Sequence, residues 1–232
     1  MRTYVSVDCV VFGFDNEQLN VLLVERKTFI NKEKSLKLPG SLIYYEEDTD
    51  KAAHRVLNEL TGIKKMTLKQ FKSFTSPERA SDPADIAWLE AEYSSRIDRL
   101  ITVAYLSICR INHKLNVAAK YKTVEWRPVS RLPQMPFDHN KIVEESLNEI
   151  RKWAEYDPAV IFELLPSKFT AAELRRLFEA VYRTRYDVRN FHKKIMSMEY
   201  VVPLEEKQHG VSHRAARYYR FDKKLYKKLR GI

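Results

Sequence analysis

Glu47, Arg55 and Glu59 are spaced so that charged side chains fall at the start and along one face of a helix that closes at Gly62-Ile63. Positions 56, 59 and 60 lie three and four residues apart and share that face. Carboxylates at all three would supply the oxygen ligands that hold a hard divalent cation beside a diphosphate and activate water. Two of the three positions are Val56 and Leu60. One carboxylate between two hydrocarbon side chains brings too little charge and too few oxygens to retain magnesium. The expectation is therefore no catalytic residue, no metal site and no cofactor, with Glu47 and Glu59 as structural acids and Glu59 paired to Arg55. Ser41 adds a hydroxyl able to donate to a polar ligand.

The elements that must position these residues are legible from periodicity. Val5–Phe12 and Leu19–Val24 are apolar, β-branched runs joined by a turn-like Asp15-Asn16, and predict a hairpin. Lys37–Leu42 predicts a short extended segment with a turn. Ala53, Val56, Leu57 and Leu60 recur at helical spacing over 50–60, and Gly62 supplies the stop. Strands are expected at Phe71–Thr75, Leu100–Ile108 and Thr123–Pro128, and a helix at 140–156 with Asp138 as its cap. The polar stretch 76–99 reads as a loop insertion with a short helix around 84–93. Asp157-Pro158 breaks the chain and marks the expected boundary between a domain at 1–156 and another at 157–232.

Charge separates these two parts. The chain of 232 residues carries a net +10, and residues 160–232 hold 17 Lys and Arg against 8 Asp and Glu, leaving +1 for the rest. A confined positive excess is the footprint of a module that neutralises phosphates. Thr170-Ala171-Ala172-Glu173 is a capping-box pattern opening a helix with Leu174, Leu177, Phe178 and Val181 on one stripe. Asp187 predicts the cap of a second helix, with Val188, Phe191 and Ile195 inward and Arg189, Asn190, His192, Lys193 and Lys194 outward. Tyr200–Leu204 and Arg217–Phe221 flank a polar loop at 205–216. Two helices followed by a long-looped hairpin predict a winged helix-turn-helix. Cys9 and Cys109 sit in apolar runs, which suits buried thiols rather than a disulfide framework. The N-terminal residues show no signal-peptide pattern and no apolar run reaches the roughly 20 residues needed to span a bilayer, so the expected location is cytoplasmic, with no membrane partner.

The segment from Ser41 to Ile63 resembles the Nudix box, G-x5-E-x7-R-E-U-x-E-E-x-G-U with U apolar. Ser41 stands at the first Gly, Glu47, Arg55, Leu57, Glu59, Gly62 and Ile63 match, and Val56 and Leu60 depart. With Leu132-Pro133 before Asp138-His139, Phe162–Pro166 before Phe169-Thr170, and Arg189-Asn190-Phe191, the whole chain resembles the Nudix-related transcriptional regulators. That resemblance implies an α+β chain: a Nudix-like mixed-sheet α/β/α sandwich followed by a winged helix. It also implies a non-catalytic sensor domain, a homodimer, double-stranded operator DNA as partner, and an effector that is ADP-ribose in some branches and a pentose in others. The loss of metal carboxylates favours the neutral pentose.

Carried onto this sequence, the family's recognition motif falls on Arg189, Asn190, Phe191, His192, Lys193 and Lys194, with His192 where Arg is commoner. Its wing falls on Arg214–Tyr219, so His213, Arg214 and Arg217 are expected to reach phosphates or the minor groove. Ser81-Asp82-Pro83 stands where the family often has Arg-Asp-Pro. Arg26, Ser41, Glu59 and His139 are the candidate effector-pocket residues, from the position of the Nudix cleft. The function expected is a ligand-responsive DNA-binding regulator, a repressor of sugar or NAD-related metabolism. Two other readings remain open: an active Nudix hydrolase of a compound such as ADP-ribose, and an RNA-binding or protein-docking module.

Overall fold

The computed structural model describes residues 2–26, 35–111, 123–208, 210 and 215–231. By contacts the chain forms two compact units, one of residues 1–13 and 20–149, the other of 14–19 and 150–232.

The first unit is built on a mixed seven-stranded sheet. β1 (Thr3–Phe14) and β2 (Leu19–Arg26) are neighbours joined by a tight turn in which Asp15 Oδ1 accepts from the Glu17 and Gln18 amides. β3 (Ser35–Lys37) pairs with β2, and β4 (Gly40–Leu42) lies antiparallel to β1 with Asp8 opposite Gly40. Helix α1 (Thr49–Thr61) follows, capped by Asp48, whose carboxylate accepts from the Lys51 amide, and stopped by Gly62 at φ 73°. β5 (Lys69–Phe74) leads through a 3-10 turn (Pro77–Ala80) into α2 (Pro83–Tyr93), capped by Asp82. β6 (Arg99–Arg110) pairs with β5, and β7 (Val124–Pro128) with β2.

From Ser6 onward β1 is buried on both faces, as a strand sandwiched between helices must be. Val7, Cys9 and Val11 face α1, which buries Ala52, Ala53, Val56 and Leu57 against them. Each such Val or Leu contributes about 1.5–3 kcal/mol on burial. Asp8, between them in sequence, points to the other face, where it meets His139 at the start of α3 (His139–Tyr156). The sandwich and its element order are those expected. Asp138 stands at the N-cap position expected of it, its carbonyl accepting from the Ile142 amide at 2.9 Å, and its carboxylate accepts two hydrogen bonds from Arg79.

In the second unit, the end of α3 is followed by α4 (Ala159–Phe162), and β8 (Phe169–Thr170) pairs with the hairpin described next. α5 (Ala171–Tyr182) opens with the expected capping box, Thr170 Oγ1 accepting from the Glu173 amide at 3.2 Å while Glu173 accepts from the Thr170 amide at 2.6 Å. α6 (Val188–Met196) begins at Asp187, whose carboxylate accepts from the Asn190 amide. β9 (Val201–Lys207) and β10 (Arg217–Phe221) form the antiparallel hairpin, β8 lies on β10, and α7 (Lys223–Arg230) closes the unit. This is a winged helix-turn-helix. Its hairpin base is held by an aromatic cluster in which Phe162 and Phe221 stack at 4.5 Å and the Tyr226 hydroxyl donates to Asp157 at 2.6 Å.

Gly40 is required by close approach. A Cβ there would collide with the Asp8 carboxylate and come within 2.9 Å of the Val7 carbonyl oxygen, both fixed by the sheet. Gly40→Ala is therefore expected to lower stability by about 1–3 kcal/mol, read as a shift in denaturant midpoint. An unchanged midpoint would contradict the packing of β4 on β1.

Candidate ligand cleft and nucleic-acid interface

Within the first unit, a cleft of about 410 Å³ opens beside α1 and is lined by Arg26, Ser41, Glu59, Leu60, Trp88 and Tyr93, among others. Three of the four residues anticipated from sequence, Arg26, Ser41 and Glu59, meet there. His139 does not line it; it is buried behind, in a narrow cavity that shares Lys37, Gly40, Ser41, Trp88 and Tyr93 with the cleft.

The charges in this cleft are already engaged. Arg26 Nη1 donates to Asp85 at 2.5 Å and Nη2 to the Ala84 carbonyl, while its guanidinium stacks over Trp88 at 4.6 Å. Lys37 Nζ is buried and donates to the carbonyls of Gly40 at 2.8 Å and Leu38 at 3.3 Å. Burial lowers the Lys37 ammonium to about 8, against the pull of Asp8. Arg55 holds Glu47 at 2.5–3.2 Å, donates to Glu59 at 3.1 Å, and packs over the Tyr44 ring. The Arg55–Glu59 pair expected from sequence is therefore present. Ser41 Oγ and the Tyr93 hydroxyl lie 3.1 Å apart, and Tyr93 accepts from the Leu42 amide.

Behind the cleft lies a buried polar network. The Arg79 guanidinium, 1% exposed, reaches Asp8 at 3.3 Å and Asp138 at 2.9 Å. His139 Nδ1 accepts from the Leu38 amide and Nε2 faces Asp8 at 3.4 Å. Burial pushes the Asp8 carboxyl up, but His139, Arg79 and Lys37 together outweigh it and hold it well below the usual carboxylate range.

The donor set does not fit the divalent cations that active Nudix enzymes use. Val56 is 0% exposed and part of the hydrophobic core, Leu60 packs against that core, and Glu59 is tied to Arg55. Among the described residues no cluster of three His, Cys, Asp or Glu side chains could hold a metal.

The short helix expected around 84–93 in the insertion is present as α2, and it supplies Trp88, Glu92 and Tyr93 to the cleft. Sequence reasoning missed these residues, together with Lys37, Tyr44, Asp8 and Arg79. Asp82-Pro83, a cap followed by proline at the first helical position, fixes where α2 starts.

In the second unit, Arg189, Asn190, His192 and Lys193 are exposed on α6, and Phe191 and Ile195 are buried. Lys194 is not outward: its ammonium lies 5.0 Å from both the Phe178 and Tyr186 rings, so its stem packs back on the domain. Val188, expected inward, is 59% exposed. Arg217 is exposed on β10, 3.7 Å from Glu205. His213 and Arg214 lie outside the described residues.

A mixed sheet sandwiched by helices, with a Nudix-box helix at its cleft and a winged helix presenting a basic second helix, defines the class: a Nudix-fold unit joined to a DNA-binding type of winged helix. A family model for the NUDIX domain matches residues 2–147, and one for the NrtR DNA-binding winged helix domain matches residues 161–221. The chain belongs to the Nudix family, in the group that joins this domain to an NrtR-type winged helix. It is similar to the ADPR responsive transcriptional repressor NtrR of Acinetobacter baylyi, 25% identical over 220 residues that span 93% of this chain and 81% of that protein. Among solved structures, Shewanella oneidensis NrtR complexed with a 27mer DNA has the same fold, with a TM-score of 0.65 at 20% identity over 94% of this chain and 93% of that one. A MutT/nudix family protein from Enterococcus faecalis has it too, with a TM-score of 0.58 at 24% identity over 95% and 88%.

Two outcomes follow from the cleft. Val56→Glu, which would restore a carboxylate of the motif, is expected to destabilise the chain by about 3 kcal/mol or more, because the group enters hydrocarbon without a partner; a chemical denaturation curve reads this. Lys37 titrates near 8 in the folded chain and near 10.5 unfolded. Between those values the unfolded chain binds the extra proton, so stability gains from Lys37 as pH rises. Any melting-temperature advantage of Lys37→Met over the parent should therefore shrink from pH 7.5 to pH 10; an advantage that widened would contradict the burial.

Proposed function

We propose that this chain is a ligand-responsive transcriptional repressor, with residues 1–156 as a non-catalytic Nudix-like sensor and residues 157–232 as the operator-binding winged helix. The observation that carries the reading is the exposed cationic face of α6, Arg189 and Lys193 with Asn190 and His192, on a winged helix of the NrtR type. Arg189 and Asn190 have the donor chemistry to read base edges in a major groove. Lys193 neutralises phosphate, and Arg217, with His213 and Arg214, serves the wing. A homodimer would place two such helices on a palindrome. That no metal-ligand set is found among the described residues argues against hydrolysis, and a DNA-binding regulator acts in the cytoplasm.

The cleft chemistry favours a neutral polyhydroxylated effector, a pentose. Among the described lining residues the cations Arg26 and Lys37 are engaged by protein oxygens, whereas Glu59 and Glu92 can accept from hydroxyls and Trp88 and Tyr93 offer apolar ring faces. An ADP-ribose-like effector is the second reading, favoured by the likeness to the ADPR responsive repressor of Acinetobacter baylyi.

Mobility shifts with DNA from upstream of the gene are expected to show a specific complex that weakens steeply with salt. Arg189→Ala should cost about 1–3 kcal/mol of operator affinity while leaving the fold intact. In the same assay unphosphorylated pentoses, rather than ADP-ribose, are expected to change the affinity. A chain that turned over ADP-ribose with magnesium, or ignored duplex DNA at low salt, would overturn the proposal.

A further inference from the structure

The recognition helix α6 carries two exposed rows at four-residue spacing. One is basic, with Arg185 just ahead of the helix and Arg189 and Lys193 on it. The other is Val188, His192 and Met196, of which Val188 is 59% and Met196 71% exposed. Residues four apart lie on the same helix face. Val188 is not what anchors the helix, since Phe191 and Ile195 are its buried residues, and a β-branched residue in the first turn does nothing for helix propensity. It instead lines an apolar groove with Ala171, Ala172 and Ala216, to which Arg175 and Arg217 also contribute.

We propose that Val188 is a specificity residue of the operator complex, making apolar contact with the C5-methyl group of a thymine in the major groove. This rests on the DNA-binding function proposed above and adds to it a base preference. The thymine methyl is the one apolar feature of a major-groove base edge. Recognition helices present their N-terminal residues to those edges, and Val188 is the first residue of α6. His192, one turn along at roughly 6 Å of axial rise, then falls about two base-pair steps from that thymine, and Arg189 reads or clamps beside it. Met196 is a further turn away, beyond the part of the helix that enters the groove first.

The test uses the full chain and the duplex it selects from random-sequence DNA, with each thymine replaced in turn by uracil, which removes only the methyl. One position in each half-site should bind about fourfold more weakly as uracil. Val188→Ala should weaken the thymine duplex by a similar factor, bind thymine and uracil duplexes equally at that position, and keep the parent's melting temperature. Met196→Ala should retain the uracil penalty. A flat uracil scan with a specific, salt-sensitive complex intact would overturn this inference alone, as would a penalty that survives in Val188→Ala or vanishes in Met196→Ala. Failure to select any duplex would instead overturn the DNA-binding reading beneath it.

Discussion

The guanidinium of Arg79 is the pin of the first unit. It sits on the turn between β5 and α2, and it reaches at once a strand of the central sheet through Asp8 and the start of α3 through Asp138. Three segments far apart in sequence are thereby fixed to one planar group, whose fork geometry tolerates little rotation. The position of α2, and so of Trp88 and Tyr93 in the cleft wall, follows from that pin and from the Arg26–Asp85 pair. A buried ion pair contributes little net stability, because desolvation offsets the Coulomb attraction. Its effect here is geometric: an apolar replacement could fill the space without specifying where the cleft wall stands.

The same logic explains why α1 kept its place while its chemistry changed. Gly62, Arg55 and Glu47 preserve the helix stop and the Arg55–Glu47 contact that ties the helix to the loop ahead of it, with Arg55 also donating to the Leu42 carbonyl. Val56 faces the sheet, and hydrocarbon there adds to the core. The scaffold of the motif is thus separable from its metal-binding face, and each has followed its own requirement.

Element order was readable in the sequence because it rests on local signals. Apolar spacing over 50–60, the Thr170–Glu173 box, the Asp187 cap and Gly62 are each interactions between residues a turn or less apart. The candidate site was less legible. Glu59, Ser41 and Arg26 came together because the motif fixes their elements, but Arg79, Asp8 and Asp138 are joined over more than fifty residues of chain, and nothing local marks them as partners. The setting of His139, in the narrower cavity behind the cleft, was hidden for the same reason: its neighbours Asp8 and Leu38 come from another part of the chain. On α6 the apolar pattern suggested three inward residues, and the spacing does put Val188 on the face of Phe191 and Ile195; as the first residue of the helix it nevertheless stands 59% exposed.

That exposed position bears on how a winged helix acquires a particular operator. Cations such as Lys193 attract any duplex, and their contribution is nearly the same for every sequence. Discrimination has to come from groups that lose something on the wrong base, either a hydrogen bond left unmade or an apolar surface left against a polar edge. On α6 the groups able to do this are few: Arg189, Asn190, His192 and Val188, all within the first turn and a half. The imidazole of His192 reaches less far than a guanidinium arm, which raises the relative weight of the contacts on either side of it. If α6 reads the groove as proposed, the imidazole and the branched hydrocarbon require a closer approach than long guanidinium arms at those places would.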